Sequence, residues 1–305
     1  MIGAMDIVRI RGADEAAAGG FLSYCRAYGD EHDESYVPDE GWAFGDEAPS
    51  FAALGPDGAV IGAAAALLGP SYRAARRARI AVLHARDEAA YAPLSAALFG
   101  ALSAAADEAY LFIPAALAAT RAAFEGLGFR YERTAYLMAA PTAGGSAGIP
   151  AIPSGYRLKA VDPADDAAIA AFVAVRNRNF VELKGSVEAR VEDLRAFIAS
   201  PEYLPGGLLL ALAPDGSPCA TLRLERDDEE GSGFIGTIAV DRAHRGRGLA
   251  RCLVRTALGL SAEAGFKDAF LSVNAENENA LRLYRSEGFR EVKAMDCLAA
   301  RLPRR

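Results

Sequence analysis

The stretch His244–Ala250, HRGRGLA in one-letter code, separates an apolar run, FIGTIAV at 234–240, from the run RCLVRTAL at 251–258. The first run predicts a strand and the second a helix, so RGRG lies in a strand-to-helix turn. Gly246 and Gly248 lack a Cβ, so the backbone can turn tightly and a ligand can approach its N–H groups. Unpaired N–H groups and the dipole at a helix N-terminus favour an anion. The stretch therefore predicts an anion-binding turn.

Three arginines add positive charge to this turn, namely Arg245, Arg247 and Arg251. Guanidinium groups match the geometry of phosphate, so a pyrophosphate is the expected ligand. The turn is not a Walker loop, because no Gly-Lys-Ser/Thr ends it, and it is not the Gly-x-Gly-x-x-Gly dinucleotide turn. Nucleic acid would need an extended basic face with stacking aromatic residues. The formal net charge of −7 argues against such a partner.

The composition is that of an ordinary globular protein. A chain of 305 residues is long for one compact domain, so two domains are expected. The four cysteines lie far apart without a Cys-x-x-Cys pair, so we expect buried thiols and no metal site. The sequence shows no secretion signal and no apolar run long enough to cross a bilayer. We therefore expect a cytoplasmic protein without membrane contact.

A segment rich in glycine, proline, alanine and serine divides the chain nearly in half. It reads AAPTAGGSAGIPAIPS at 139–154 and has no charge and no helical pattern, which is typical of a linker. We place the linker at 141–154. The predicted domains are therefore residues 1–140 and 155–305.

The two halves share landmarks in the same order. Turns with the sequence PDG occur at 55–58 and 213–216, and the pairs Gly128-Phe129 and Gly288-Phe289 follow at nearly the same spacing. Two landmarks at nearly one offset predict an internal duplication.

In the second half, predicted strands alternate with predicted helices. This alternation indicates an α+β (mixed α/β) fold, in which a central mixed sheet is flanked by helices. The predicted strands are 207–213, 218–225, 234–240 and 269–273, with a last one from Phe289, and the predicted helices are 248–264 and 279–287.

Two segments of the second half resemble the GNAT superfamily of N-acyltransferases. Arg245, Gly248 and Ala250 match the family's acyl-CoA signature, Arg/Gln-x-x-Gly-x-Gly/Ala. VNAENENALRLYRSEGF at 273–289 is similar to a later family segment, in which an Asn, an Ala, a Leu-Tyr pair and a Gly-Phe recur at these spacings. The two segments occur in the family's order, and the resemblance covers roughly residues 155–300. It implies two tandem GNAT-like domains, because the halves are similar.

The resemblance also implies a site and a co-substrate. Acetyl-CoA, or another acyl-CoA, would bind without a metal. Strands 234–240 and 269–273 would be parallel neighbours that splay apart around the pantetheine, and the pyrophosphate would rest on 245–250. The implied cofactor-binding residues are Ile238, Val240, Arg245, Gly246, Arg247, Gly248, Ala250, Arg251, Asn274 and Asn279.

Two residues are candidates for proton transfer. The family often uses a Tyr at the position of Tyr284 to protonate the leaving thiolate, although a half-buried core Tyr is the alternative. Family members commonly carry a Glu on the strand that here reads FIGTIAV, and this strand has no acid. Glu225, on the preceding strand, or Asn274 with a water could deprotonate the amine, and each could equally be a polar strand end.

The first half is expected to be a degenerate GNAT-like domain without a CoA site. The counterpart of the glycine-arginine turn reads DEAAYA at 87–92, and Asp87 and Glu88 would repel a pyrophosphate. Phe124 stands at the counterpart of Tyr284. An acidic, aromatic stretch at 30–47 could attract a cationic amine or could be a solvated connection.

The predicted function is acyl-CoA-dependent N-acyl transfer, with acetyl as the acyl group, to a primary amine of a small molecule or peptide. The alternative is a non-catalytic acyl-CoA sensor or partner-binding module, which the missing acid on FIGTIAV keeps open. Neither the acceptor nor the oligomeric state follows from the sequence.

Overall fold

The computed structural model describes residues 5–142, 152–181, 183, 186–228 and 230–303. Most of the predicted linker at 141–154 lies outside these described residues. In chain order the described strands and helices are β1 Asp6–Ile10, α1 Glu15–Tyr28, β2 Ser50–Leu54, β3 Val60–Leu67, α2 Pro70–Ala74, β4 Arg77–Ala85, α3 Tyr91–Leu102, β5 Glu108–Pro114, α4 Ala118–Gly126, β6 Arg130–Pro141, β7 Arg157–Ala160, α5 Asp166–Phe180, α6 Val191–Ile198, β8 Tyr203–Leu212, β9 Pro218–Asp227, β10 Ser232–Val240, α7 Leu249–Glu263, β11 Asp268–Asn274, α8 Glu278–Ser286 and β12 Arg290–Arg301.

The chain forms two compact units. Unit 1 comprises residues 1–135 and 294–305, and unit 2 comprises residues 136–293. Each unit contains a mixed sheet with helices packed on it, which confirms the predicted fold class. None of the described helices is both long and apolar enough to cross a bilayer.

Unit 1 has a sheet in the order β1-β2-β3-β4-β5, completed by the end of β12. Neighbouring strands are antiparallel except β4 and β5, which are parallel. Met295–Arg301 pair with Glu108–Pro114 along the whole of β5. The compact units therefore differ in extent from the predicted domains, because main-chain hydrogen bonds join the last strand of the chain to the first unit.

Unit 2 has a sheet in the order β7-β8-β9-β10-β11, with the end of β6 beside β11. Helix α7 packs on one face, where Leu253 and Ala257 join Leu222 and Ile235 in a core. The other face carries α5 and α6, whose Phe172 contributes to a separate core. A sheet covered on both faces accounts for the apolar strands of this half.

Two charged stretches of unit 1 pair with each other. Asp33 forms an ion pair with Arg79, and the guanidinium of Arg79 lies 3.5 Å from the centre of the Tyr36 ring. Arg73 donates a hydrogen bond to the carbonyl oxygen of Asp46 at 3.0 Å. The acidic stretch at 30–47 is thus fixed to the basic stretch at 72–79, which favours a structural role for these charges.

Candidate functional site

Strands β10 and β11 begin as neighbours and then separate. Gly233–Ile235 pair in parallel with Ala269–Leu271, and no later residue of β10 pairs with β11 among the described residues. The N–H of Asp241 donates to the carbonyl oxygen of Cys219 on β9. Every second residue of a strand points its backbone groups to the same side, so the residues in between point theirs to the other side. Ile238 and Val240 therefore direct their N–H and C=O groups away from β9 and into the splay between β10 and β11.

The turn at 245–250 lies at the mouth of this splay and leads into α7. Gly246 has a φ of 75° and Gly248 a φ of 86°, a left-handed backbone that favours glycine. Within the described part of the chain, no protein acceptor takes a hydrogen bond from the N–H groups of 246–250. The side chain of Arg247 is exposed, and Ala250 packs on the core. The turn can therefore bind an anion through its backbone.

The structure directs two of the three predicted cations elsewhere. Nε of Arg245 donates to the carbonyl oxygen of Val240 at 2.9 Å, which ties the turn to the end of β10. Nε of Arg251 donates to Oε1 of Glu287 at 2.7 Å, and the Glu287 side chain is only 6% exposed. No motif or spacing in the sequence indicates this ion pair. The glycine backbone and Arg247 are the groups that remain available to an anion.

Tyr284 lies on α8, where its ring packs on the core and contacts Phe289 with ring centres 5.9 Å apart. Burial raises the pKa of Tyr284 to about 12, so the phenol keeps its proton at neutral pH. Its hydroxyl donates to no protein acceptor in the described ranges. A protonated hydroxyl on a half-buried ring is suited to give its proton to a ligand.

The two asparagines lie where β11 passes into α8. The carbonyl oxygen of Asn274, the last residue of β11, accepts from the N–H of Asn277 at 2.9 Å. Asn279 is exposed in the first turn of α8, and its Oδ1 accepts from Arg282 at 2.5 Å. Both are at the edge of the splay, and Asn279 reaches solvent.

Glu225 lies on β9, directly across from Phe234 of β10. Its side chain is 18% exposed, and its Oε1 is 2.8 Å from Nη2 of Arg223. Burial raises the pKa of Glu225 and outweighs the Arg223 guanidinium, which lowers it. The carboxyl group is therefore a stronger base than an ordinary surface glutamate.

A β-bulge brings this carboxylate to the splay. Ile235 pairs with Leu224 and Thr237 with Arg223, so Gly236 is the extra residue of β10. A Cβ built on Gly236 would overlap Oε1 of Glu225. The carboxylate thus occupies the space of a side chain at 236, immediately after the last β10 residue that pairs with β11. A carboxylate of the neighbouring strand therefore stands at the bulge of FIGTIAV, which itself carries no acid. The sequence pattern points to neither Gly236 nor Arg223.

We predict that Gly236→Ala displaces the carboxylate of Glu225. A methyl group at 236 requires the oxygen to move, and misplacing a catalytic group by about 1 Å can lower a rate about 10²-fold. The effect should be measured on the acetyl-transfer activity proposed below. A Glu225→Ala background is the control, because the carboxylate is then absent and the methyl group displaces only the flexible end of Arg223, so it should change little. Equal losses in both backgrounds would contradict the prediction.

The described geometry agrees with a family match in the same part of the chain. Residues 165–289 match the Acetyltransferase (GNAT) family. This segment contains the bulge, the splay, the glycine turn and α8.

Several similar relatives are mycothiol acetyltransferases. The one from Kineococcus radiotolerans is 36% identical over 144 residues, which are 46% of this chain and 45% of that protein. The one from Cellulomonas flavigena is 28% identical over 243 residues, covering 73% of this chain and 62% of that protein. The chain thus spans about half the length of the first curated relatives it matches.

Solved structures match the fold over nearly the whole chain. A GCN5-related N-acetyltransferase from Sphaerobacter thermophilus is 21% identical with a TM-score of 0.72, covering 99% of this chain and 97% of that one. A tandem GNAT protein from the clavulanic acid biosynthesis pathway is 16% identical with a TM-score of 0.70, covering 99% and 100%. The chain therefore has the fold of a tandem GNAT protein, and its residues 165–289 match the GNAT acetyltransferase family.

Proposed function

We propose that the protein transfers the acetyl group of acetyl-CoA to a primary amine of a small molecule or peptide, at a site in unit 2. One observation carries the proposal: the N–H groups of 246–250, which donate to no described protein acceptor, lie at one end of a splay whose other end holds the buried carboxylate of Glu225.

The residues of the site fit the parts of acetyl-CoA. The glycine turn offers N–H groups and the exposed Arg247 to a pyrophosphate. Ile238 offers its N–H and C=O, and Val240 its N–H, to the amides of an extended pantetheine. Acetyl-CoA would supply the activated acyl group as a thioester. Arg245 braces the turn against Val240, so its proposed contribution is to hold the turn in shape.

Glu225 is the proposed general base. An amine must lose a proton to attack a carbonyl carbon, and a base is most effective when its pKa lies near the working pH. Burial moves the pKa of Glu225 upward, toward that range, and the Arg223 guanidinium opposes part of this rise. The bulge at Gly236 places the carboxylate where strands β10 and β11 part, two residues before Ile238.

Tyr284 is the proposed general acid, giving its hydroxyl proton to the leaving sulfur. Transfer from a phenol of pKa about 12 to the thiolate of a thiol near 8.5 costs about 5 kcal/mol in their separate environments. The same burial disfavours a free thiolate, which reduces this difference. The proton therefore moves as the sulfur leaves.

We predict that Tyr284→Phe lowers turnover by about 10²-fold and leaves the affinity for acetyl-CoA unchanged, because only the transferable proton is lost. Release of free thiol measures turnover, and calorimetry measures binding. Tyr131→Phe, which removes an exposed hydroxyl in unit 1, is the control and should behave as wild type. Unchanged turnover in Tyr284→Phe would show that its proton is not used.

The acceptor panel should begin with mycothiol-related amines, since the relatives carry that name, and should continue with amino sugars and amino-terminal peptides. Turnover with any of them supports the proposal. Binding of acetyl-CoA without turnover on the whole panel would favour a non-catalytic sensor. No binding would refute the proposal.

A further inference from the structure

Unit 1 contains a splay of the same kind as that of unit 2. Arg77–Arg79 of β4 pair in parallel with Glu108–Tyr110 of β5, and the described pairing stops there. A bulge follows at Ala81, which is left over where β4 pairs with β3. Leu83 lies two residues beyond this bulge, as Ile238 lies two residues beyond the bulge of β10.

Leu83 directs its backbone groups into the splay of unit 1. The N–H of Arg86 donates to the carbonyl oxygen of Ile61 on β3. Backbone groups alternate in direction along a strand, so Leu83, three residues earlier, turns its N–H and C=O away from β3. There they meet the imidazole of His32. Its Nε2 is 3.1 Å from the nitrogen of Leu83 and 3.2 Å from the carbonyl oxygen. His32 is 1% exposed, so no ligand can reach these groups without displacing it.

Neighbouring residues hold His32 in place. We call residues 29–36 the strap; it contains two short 3₁₀ turns. On one side of His32, Oε2 of Glu31 accepts from the hydroxyl of Thr120 on α4 at 3.2 Å. On the other side, Asp33 forms its ion pair with Arg79. The strap is thus fixed to an element on each side of His32.

Two further residues that differ from their counterparts in unit 2 close this splay. Phe124 of α4, at the counterpart of Tyr284, is fully buried, and its ring centre lies 6.3 Å from that of His32 in an edge-to-face contact. At the mouth, Asp87 stands where unit 2 has its glycine turn, and its Oδ1 accepts from the N–H of Ala89 at 3.0 Å. A carboxylate here would repel a pyrophosphate.

We propose that the strap is a built-in occupant of the unit 1 splay. Nε2 of His32 takes the position at Leu83 that one polar atom of a pantetheine amide would take at Ile238; it accepts from the N–H of Leu83 or donates to its carbonyl oxygen, according to the tautomer. Unit 1 therefore retains the architecture of an acyl-CoA site and fills it with its own chain. The comparison with Ile238 rests on the function proposed for unit 2. The consequence is one acyl-CoA site per chain.

The first test is the stoichiometry of acetyl-CoA binding by calorimetry. We expect one molecule per wild-type chain and none in Gly248→Asp, which leaves unit 1 untouched. Two molecules per chain, or near wild-type affinity remaining in Gly248→Asp, would overturn the proposal. No binding by wild type would refute the function proposed for unit 2 instead, and the second test then decides the role of the strap.

The second test removes the His32 side chain and then supplies free imidazole in its place. His32→Gly should lower the melting temperature by roughly 10 °C, because a large buried side chain is lost. Imidazole at millimolar concentration should restore part of this loss, since it can bond to Leu83, whereas toluene should not. Ala48→Gly, which removes one buried methyl group in unit 1, is the control and should gain nothing from imidazole. Equal rescue of His32→Gly by toluene, or none by imidazole, would overturn the proposal.

Discussion

A Gly248→Asp variant is expected to lose measurable binding of acetyl-CoA. Gly248 has a φ of 86°, and an L-residue in this left-handed conformation is strained by about 1–2 kcal/mol. The new carboxylate would also stand beside the pyrophosphate, where two like charges about 4 Å apart repel by about 4 kcal/mol near a protein surface. Since 1.4 kcal/mol is tenfold in affinity, the repulsion alone should weaken binding roughly 10³-fold.

The matched control for this variant is Gly265→Asp. Gly265 has a φ of 83°, and a Cβ there would meet nothing within 4 Å, so the backbone strain is the same. It follows the other end of α7, away from the turn at 245–250. Calorimetry should give wild-type affinity for this control. Equal weakening in both variants would mean that strain, and not the ligand, accounts for the effect, and the anion site would then be wrong.

Glu225→Gln is expected to lower turnover by about 10²- to 10⁴-fold, the usual contribution of a general base. The amide keeps the size of the carboxyl group but cannot accept the proton of an amine. Acetyl-CoA affinity should stay unchanged, because the glycine turn at 245–250 is intact. Wild-type turnover in Glu225→Gln would exclude Glu225 as the base.

The pH profile gives this prediction a sharper form. A base must be deprotonated to work, so activity should fall as the pH drops through the raised pKa of Glu225. Arg223 lowers that pKa, and Arg223→Gln should therefore move the acidic limb of the profile to higher pH. The limb should be absent from the residual activity of Glu225→Gln. A limb that does not move in Arg223→Gln would contradict the assignment.

The parts of the site that were predictable from the sequence are local. The glycines at 246 and 248 carry their own backbone requirement, and the strand before them and the helix after them have clear apolar patterns. Asp87 and Glu88, at the counterpart of this turn in the first half of the chain, could be recognised in the same way, because they too are adjacent in sequence. A short stretch was enough to predict an anion-binding turn, because all of its hydrogen-bond donors come from adjacent residues.

The remaining features depend on contacts between residues distant in sequence. Glu287 takes the guanidinium of Arg251 across the space between α8 and α7, and no spacing rule indicates that pair. The overlap between Gly236 and Glu225 follows from a bulge, which shifts the register of two strands by one residue. The role of His32 likewise depends on a strap that passes beside β4, so the sequence showed only a charged, aromatic stretch.

The pairing of the last strand, β12, with β5 of unit 1 has a consequence for synthesis on the ribosome. The whole of β5 pairs with residues 295–301, so its edge has no partner from this strand until translation has passed all of unit 2. At 5–20 residues per second, that interval is roughly 10–40 s. An unpaired strand edge is open to wrong partners during this time. The contiguous unit 2 can therefore mature before unit 1, although unit 1 begins the chain.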